Sequence, residues 1–342
     1  MARDSSGEKY LILKEMGESI DMTFGRVALD SGKVDWMYRP HNISDGVGAY
    51  TDLLNLDGNK ITEQPLMKSG PIPGLLKRIG LLRQHMKNMR PTTYAWKYHD
   101  PKKRGLGLTL AYTLFDKDAL KALLDYARAQ KTSLNSVLLW TLNDVACETL
   151  LTAPPEETVW TIPLNLRGGA TAGATSSNVT ASICLRLPPN PSVSYIDTKI
   201  KTIYQQGVHW GAWLLSNMTR FIGKRGFKFL AERARPCWLG VFSNVGSWPP
   251  PNHPHPVDEN IGYMGAPPAT SILPITCCSM TWNNRMSLTL QLHPSISNDK
   301  ADTEKMIQRW TQRLADIAGL SPEQFSIGYK DWSELEKESV QF

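Results

Sequence analysis

The most informative stretch of the chain reads Val34-Asp35-Trp36-Met37-Tyr38-Arg39-Pro40-His41-Asn42-Ile43-Ser44-Asp45-Gly46-Val47-Gly48-Ala49-Tyr50. Its first half alternates apolar and polar side chains, as a half-buried β-strand does, and Pro40 then ends ladder pairing because it has no backbone N–H. Gly46 and Gly48 permit a sharp turn, and the apolar residues after them predict a helix. We therefore expect His41 to stand at the end of a strand, with its side chain facing a cleft.

The spacing His41-x-x-x-Asp45-Gly46 has a chance interpretation as well as a functional one. In a chain with 7 histidines, such a pattern occurs by chance at roughly a few per cent. A histidine at a strand end also has a structural interpretation, in which it only forms hydrogen bonds. The choice therefore depends on other parts of the chain.

Composition places the protein in a broad class. The 342 residues are 41% hydrophobic and 20% charged, which is typical of a globular protein and excludes disordered and collagen-like chains. No apolar run reaches the roughly 18 residues that span a bilayer, and the first ten residues lack the apolar segment of a signal peptide. We expect a cytoplasmic protein.

The net charge of +6 is compatible with nucleic acid, anionic lipid or a phosphate-bearing molecule such as coenzyme A. No RNA-binding motif, zinc finger or basic zipper is present, so we expect no nucleic-acid partner. The five cysteines are odd in number and show no C-x-x-C spacing, which predicts reduced thiols and no metal site.

Three later segments carry further motifs. Ser133-Leu134-Asn135-Ser136 begins a predicted helix with a serine cap. A predicted strand ends at Arg167, and the small-residue loop 168–177 separates it from a second strand that begins at Asn178. A buried strand then ends in Ser243-Asn244-Val245-Gly246.

Together and in this order, these segments resemble the chloramphenicol-acetyltransferase-like superfamily, which includes condensation domains, wax ester synthases and alcohol O-acetyltransferases. The family's His-His-x-x-x-Asp-Gly signature reads here from Pro40 to Gly46, so that Pro40 replaces the first His and His41 stands where the family has its catalytic base. The resemblance implies an α/β, two-layer mixed-sheet fold. It has two similar subdomains with a tunnel between them, and the N-terminal subdomain is incomplete here.

The resemblance also implies an acyltransferase. It would move an acyl group from a thioester, either acyl-CoA or an acyl-carrier protein, to a hydroxyl or amine of a small-molecule acceptor such as an alcohol or secondary metabolite. The acyl-CoA, or the phosphopantetheine-linked acyl group, is then a co-substrate, with no permanently bound cofactor and no metal. A neutral imidazole is a suitable base for this reaction at cytoplasmic pH.

The site residues follow from the same resemblance. His41 is the base, and Asp45 and Gly46 complete the catalytic motif by fixing its turn. Arg167 and Asn178 are expected to bind substrate, and Ser243 or Asn244 to donate a hydrogen bond to the oxyanion. Structural alternatives remain open: Arg167 caps a strand or anchors the crossover between subdomains, Asn178 bonds loop backbone, and Ser243 and Asn244 have a structural role.

The N-terminal region is short by comparison with the family. We predict strands only at Tyr10–Leu13 and Met22–Leu29, and none of the upstream arginines stands where the family has the arginine that pairs with the motif Asp. The chain is then either an N-terminally truncated member or a shortened member with altered activity. We expect the first, in which Asp45 lacks a cation. The predicted division is 1–104 for the N-terminal subdomain, 105–319 for the C-terminal subdomain and 320–342 for a polar tail.

A basic segment from Pro71 to Arg104 contains apolar residues at helical spacing, which predicts an amphipathic helix. The basic face of this helix has three interpretations: an ordinary solvated surface, a docking surface for coenzyme A or an acidic carrier protein, or a surface in peripheral contact with a membrane. Two alternatives to the enzyme follow: a catalytically degenerate binding or scaffold protein, and a membrane-surface lipid-binding protein.

The rest of the chain is predicted to form regular strands and helices. The predicted strands are 106–114, 159–167, 178–188, 239–246, 272–281 and 286–292, the last two joined by a tight turn at Asn283-Asn284-Arg285. The predicted helices are 119–129 with Asp116 as cap, 133–151, 195–215, 218–233 and 302–318.

Overall fold

The computed structural model describes residues 5–65, 71–167, 178–234, 238–250, 253–332 and 340–341. The helices there are α1 (Ser5–Glu15), α2 (Gly46–Leu56), α3 (Leu75–Asn88), α4 (Lys117–Ala129), α5 (Leu134–Leu150), α6 (Val193–Gln205), α7 (Val208–Ala234) and α8 (Lys300–Ala318). The strands are β1 (Asp21–Ala28), β2 (Val34–Pro40), β3 (Thr109–Phe115), β4 (Thr158–Asn165), β5 (Thr180–Leu187), β6 (Gly240–Trp248), β7 (Ile261–Ala266), β8 (Ile275–Trp282), β9 (Arg285–Leu292), β10 (Phe325–Asp331) and β11 (Val340–Gln341).

The larger sheet is mixed and has the order β10-β3-β9-β8-β6-β4-β5. β6 runs parallel to β8 and β4, and the other neighbours pair antiparallel. One face packs on α4, α5, α6 and α8, where Trp160 of β4 and Trp310 of α8 are fully buried. Their indole N–H groups donate to Asn143 and Thr141 of α5, so the two largest side chains of this core have their polar atoms satisfied.

The smaller sheet has the order β11-β2-β1-β7. It shares a second core with α2 and the other face of the larger sheet, to which β1, α2, β6 and β8 contribute Phe24, Tyr50, Val245 and Trp282. This core fixes the start of α2, and hence the His41 turn, against the strands of the larger sheet. β7 comes from residues 261–266, so the smaller sheet is not a continuous N-terminal segment.

Several local predictions are confirmed. Asp116 caps α4 through the Ala119 N–H at 2.7 Å, and Ser133 caps α5 through the Ser136 N–H at 3.2 Å. Asn283 and Asn284 have φ of +46° and +60°, as a tight hairpin turn between β8 and β9 requires. The α/β class with two mixed sheets is also confirmed.

Three element predictions are wrong. The predicted helix 195–215 is divided into α6 and α7 at Gly207, which has φ of +76°, and α7 continues through the predicted break at 216–217. Tyr10–Leu13 belongs to helix α1 rather than to a strand, because the helix buries Leu13 with Ile20 and Ile272. Residues 325–331 are not a polar tail: β10 pairs with β3 along seven residues and forms one edge of the larger sheet. In addition, β7 is absent from the sequence-based prediction, since Gly262 and Gly265 dilute its apolar pattern.

Candidate active site

His41 follows directly on β2 and is held there by its backbone. Its N–H donates to the Ile20 carbonyl at 2.9 Å, which continues the pairing of β1 with β2 by one residue. Helix α1 then brings Tyr10 over the imidazole, with ring centroids 3.9 Å apart and the planes inclined by only 14°. The Tyr10 hydroxyl lies 2.9 Å from His41 Nε2.

The environment of His41 favours the neutral imidazole. Burial disfavours the charged ring and lowers its pKa, and this effect outweighs the nearby Asp45 charge, which acts in the opposite direction. Nδ1 is buried and forms no hydrogen bond with the described residues. His41 therefore has a nitrogen lone pair available near neutral pH, as a general base requires.

Asp45 fixes the turn that follows His41. Its Oδ1 caps α2 by accepting from the Gly48 N–H at 2.9 Å. Arg167 donates to both carboxylate oxygens, each at 2.9 Å. The Val179 N–H and the Thr180 hydroxyl donate to Oδ2, both at 2.8 Å. The carboxylate thus accepts five hydrogen bonds while Asp45 is only 2% exposed.

The expectation that Asp45 lacks a cation is therefore wrong. Arg167 supplies the charge from 122 residues downstream rather than from the N-terminal region. The side-chain carbonyl of Asn165 orients this arginine by accepting from its backbone N–H at 3.0 Å and its guanidinium at 3.1 Å. Arg167 is 0% exposed, whereas a substrate contact needs an accessible guanidinium. Its position fits the anchoring alternative rather than substrate binding.

Asn178 also lies at this turn. Its Nδ2 donates to the backbone carbonyl of His41 at 3.0 Å. This contact fits the structural interpretation of Asn178, in which its side chain bonds loop backbone. The small-residue loop 168–177 lies outside the described residues. Asn178, Val179 and Thr180 therefore connect the start of β5 to the motif turn, and the two predicted segments meet in space.

Ser243 and Asn244 point to opposite faces of β6, because side chains alternate along a strand. Ser243 shares the face of Cys278, its partner in β8, whose side chain belongs to the core with α2. Asn244 donates to Asn135 at the start of α5 and accepts from the Gly246 N–H at 2.7 Å. Only Ser243 of these two therefore faces the side on which the His41 turn lies.

Gly46 and β6 are in close contact. A Cβ added to Gly46 would lie 3.3 Å from Cγ1 of Val245, so the Val245 side chain would have to shift by a few tenths of an ångström to accept a larger residue here. This contact places the Ser243 strand directly beside the start of α2.

Sequence reasoning missed two residues of the site. The apolar run around Tyr10 predicts a strand, and nothing in this local pattern indicates that α1 folds over His41. Thr180 lies two residues after Asn178 in the same predicted strand, and the alternation of that strand is the available signal.

A cavity of about 270 Å³ lies elsewhere, between the two sheets. It is lined by the far end of β1, by β7 and by the adjoining ends of β3, β9 and β10, with Tyr263, Trp282 and Phe325 among its walls. None of the predicted site residues lines it. It adjoins the opposite end of β1 from His41.

Comparisons with known proteins give a result only at the level of structure. No family model matches the sequence, and no curated protein matches it. The fold is similar to a nonribosomal peptide synthetase, FmoA3, with a TM-score of 0.57 and 11% identity over 84% of this chain and 31% of the other. It is also similar to TRI3 trichothecene 15-O-acetyltransferase from Fusarium sporotrichioides, with a TM-score of 0.52 and 12% identity over 82% and 65%.

A third similar structure concerns condensation domain-mediated chain release from the enacyloxin polyketide synthase. Its TM-score is 0.52 at 11% identity, over 83% of this chain and 58% of that one. This chain thus spans less than two thirds of the length of each of these three structures. These similarities concern the fold: the three structures share the α/β architecture described above.

Proposed function

We propose that this protein transfers an acyl group from a thioester to a hydroxyl or amine, with His41 as the general base. The observation that carries the proposal is the state of His41: an imidazole with a lowered pKa, held at a strand end by a turn that Asp45 and Arg167 lock. A neutral histidine in a rigid turn meets both the protonation and the positioning requirements of the reaction.

The reaction has two steps. His41 takes the proton of the acceptor O–H or N–H as the acceptor atom attacks the thioester carbonyl, and a tetrahedral intermediate forms with a negative oxygen. The carbon–sulfur bond then breaks, and the imidazolium returns its proton to the departing sulfur. The products are the ester or amide and a free thiol, and His41 is neutral again.

Tyr10 determines how the acceptor reaches the base. Nδ1 of His41 is buried, and the Tyr10 hydroxyl occupies the hydrogen-bonding position at Nε2. In this proposal the acceptor approaches Nε2 and displaces the hydroxyl before its proton is removed. The stacked ring also covers one face of the imidazole and contributes to the burial that lowers its pKa. Tyr10 thus acts as a positioning residue in this proposal.

Ser243 is the favoured donor to the negative oxygen. It faces the motif turn, whereas the Asn244 amide is engaged with Asn135 on the opposite side of β6. A well-placed donor stabilises the intermediate by roughly 3 kcal/mol. The thioester donor in this proposal is acyl-CoA or an acyl-carrier protein, and the acceptor is a small alcohol or amine.

The test is thiol release from a panel of acyl-CoA thioesters and acyl-loaded carrier proteins, with and without small alcohols and amines. We expect His41→Ala to lower the acceptor-dependent rate by about 100-fold or more, because loss of a general base typically costs that much. The matched control is His99→Ala, which removes an exposed histidine and should leave the rate unchanged.

Retention of activity in His41→Ala within about threefold would remove His41 from the mechanism. Circular dichroism must show that His41→Ala is folded under the assay conditions, because loss of a ring that stacks on Tyr10 and bonds its hydroxyl itself lowers the melting temperature. A folded protein that releases no thiol from any donor, with or without acceptors, would instead favour the catalytically degenerate binding protein.

A further inference from the structure

Helix α3 packs against α7 in a single fixed orientation. Leu81 and His85 are the buried residues of α3, and Gly211 of α7 allows the closest approach, since a Cβ there would overlap the backbone carbonyl of Leu81. Beside this contact, the Gln84 side-chain amide donates a hydrogen bond to the Gln206 side-chain oxygen. Because the contact involves backbone atoms, α3 cannot rotate to bury a different face.

The opposite face of α3 is apolar and exposed. Leu75 is 56% exposed, Leu76 86%, Ile79 37% and Met86 45%. Leu75, Ile79 and Met86 are spaced by four and seven residues, so they form one row along the helix, with Leu76 beside it. Ile72, just before the helix, is 39% exposed. Exposed apolar residues in a contiguous row usually mark an interaction site.

The charged side chains that α3 itself carries are all positive. Arg83 and Lys87 are exposed and lie beside the row, whereas Lys77 lies on the opposite side of the helix. The sequence contains no Asp or Glu between Glu63 and Asp100. An apolar row with cations beside it on the same helix is complementary to a surface with an apolar interior and negative charges at its boundary. A bilayer with anionic headgroups has this arrangement.

We propose that α3 is a membrane-surface helix that lies in the plane of an anionic bilayer, with Leu75, Leu76, Ile79 and Met86 inserted and Arg83 and Lys87 on the headgroups. The row stands on the convex side of a helix whose other side is packed on α7. A convex ridge enters a fluid bilayer readily, whereas a protein partner would have to provide a matching groove. None of the described helices is long and apolar enough to cross the bilayer, so the contact is peripheral.

Vesicle flotation of the full chain tests the proposal. We expect binding to vesicles of equimolar phosphatidylcholine and phosphatidylserine, weaker binding to pure phosphatidylcholine, and loss of binding at an ionic strength of about 1 M, where charges are screened within about 3 Å. The variant Arg83→Ala/Lys87→Ala should bind about 25-fold more weakly, since each cation contributes about fivefold. The variant Leu75→Ser/Leu76→Ser/Met86→Ser should lose about 100-fold or more.

Matched controls exist on other elements. Leu56, Leu106 and Leu108 are 68%, 40% and 42% exposed, and their triple serine variant should bind as the parent does. So should the double alanine variant of the exposed Lys60 and Lys121. The readout is vesicle binding, so the result is independent of acyl transfer.

Failure of the parent chain to float with anionic vesicles would overturn the proposal, as would equal flotation of the α3 variants and the controls. Binding to a purified acidic acyl-carrier protein, abolished by the same α3 variants while vesicles remain unbound, would also overturn it and assign the face to a protein partner.

Discussion

The Asp45 carboxylate and the Arg167 guanidinium form a buried ion pair that joins two distant parts of the chain. Removing both charges from water is costly, and the pair is tolerable because five hydrogen bonds satisfy the carboxylate. The two partners are 3% and 0% exposed at the side chain. The charges are therefore interdependent, and loss of one leaves the other buried without compensation.

Arg167→Ala should lower the free energy of unfolding by about 3 to 5 kcal/mol, the usual cost of removing one partner of a buried pair. Denaturant unfolding followed by circular dichroism measures this. The control is Arg128→Ala, which breaks an exposed pair with Asp125 whose side chains are 71% and 52% exposed and should cost less than about 1 kcal/mol. Equal small losses in the two variants would contradict the anchoring role of Arg167.

At the scale of elements, the seam between α3 and α7 depends on one glycine. Gly211 lies against backbone atoms of Leu81 and Leu82 so closely that a Cβ at this position would overlap them. An added methyl group must therefore push the two helices apart. Gly80, one residue before Leu81, faces open space. The same substitution at these two positions should therefore have opposite effects.

Gly211→Ala should destabilise the protein by about 1 to 3 kcal/mol, as overpacking does. Gly80→Ala should stabilise it by about 0.5 to 1 kcal/mol, because alanine restricts the unfolded chain and favours the helix interior. Urea unfolding of both variants beside the parent gives the two values. A stabilised Gly211→Ala variant would show that α3 does not pack this closely on α7.

At the scale of the whole molecule, several buried histidines resist protonation. Burial lowers the pKa of His85 and of His209 to about 4, and these residues are 3% and 2% exposed. The pKa of His41 is lowered for the same reason. The unfolded chain, in which a histidine has a pKa near 6.5, binds protons that the folded chain does not.

The contribution of the neutral histidines to the free energy of unfolding should therefore be fully present above about pH 6.5. It should fall as the pH decreases from there towards 4, by on the order of 2 kcal/mol at pH 5 for each of His85 and His209. Glu18 adds to the fall at lower pH. Burial alone would raise the pKa of Glu18, but the hydrogen bond and electrostatic attraction of His293 and the hydrogen bonds of Ser271 together outweigh burial and lower this pKa. The contribution of Glu18 is therefore lost as the pH falls through the lowered value.

Urea unfolding at about pH 7 and pH 5 tests this dependence. The variant His85→Leu/His209→Leu should lose much less stability between the two pH values than the parent does. His99→Ala, at an exposed histidine, should behave as the parent. The same pH dependence in all three proteins would contradict the assignment to His85 and His209.

The sequence alone determined the class of fold, the order of its motifs and many of the local elements. Asp116 and Ser133 are recognisable as caps because a cap acts within its own helical turn. The Asn283-Asn284 hairpin is recognisable because its turn chemistry lies in adjacent residues. The His41 motif is recognisable because its strand, turn and helix are continuous in the chain.

Only the tertiary structure decided which distant residues complete the site. Arg167 lies 122 residues from Asp45, and Tyr10 reaches His41 through a helix whose four apolar residues also fit a strand. β10 pairs with β3 across more than 200 residues, and β7 completes the smaller sheet although its glycines weaken its pattern. Local periodicity reports which side of an element is apolar, whereas pairing partners depend on the packing of the whole chain.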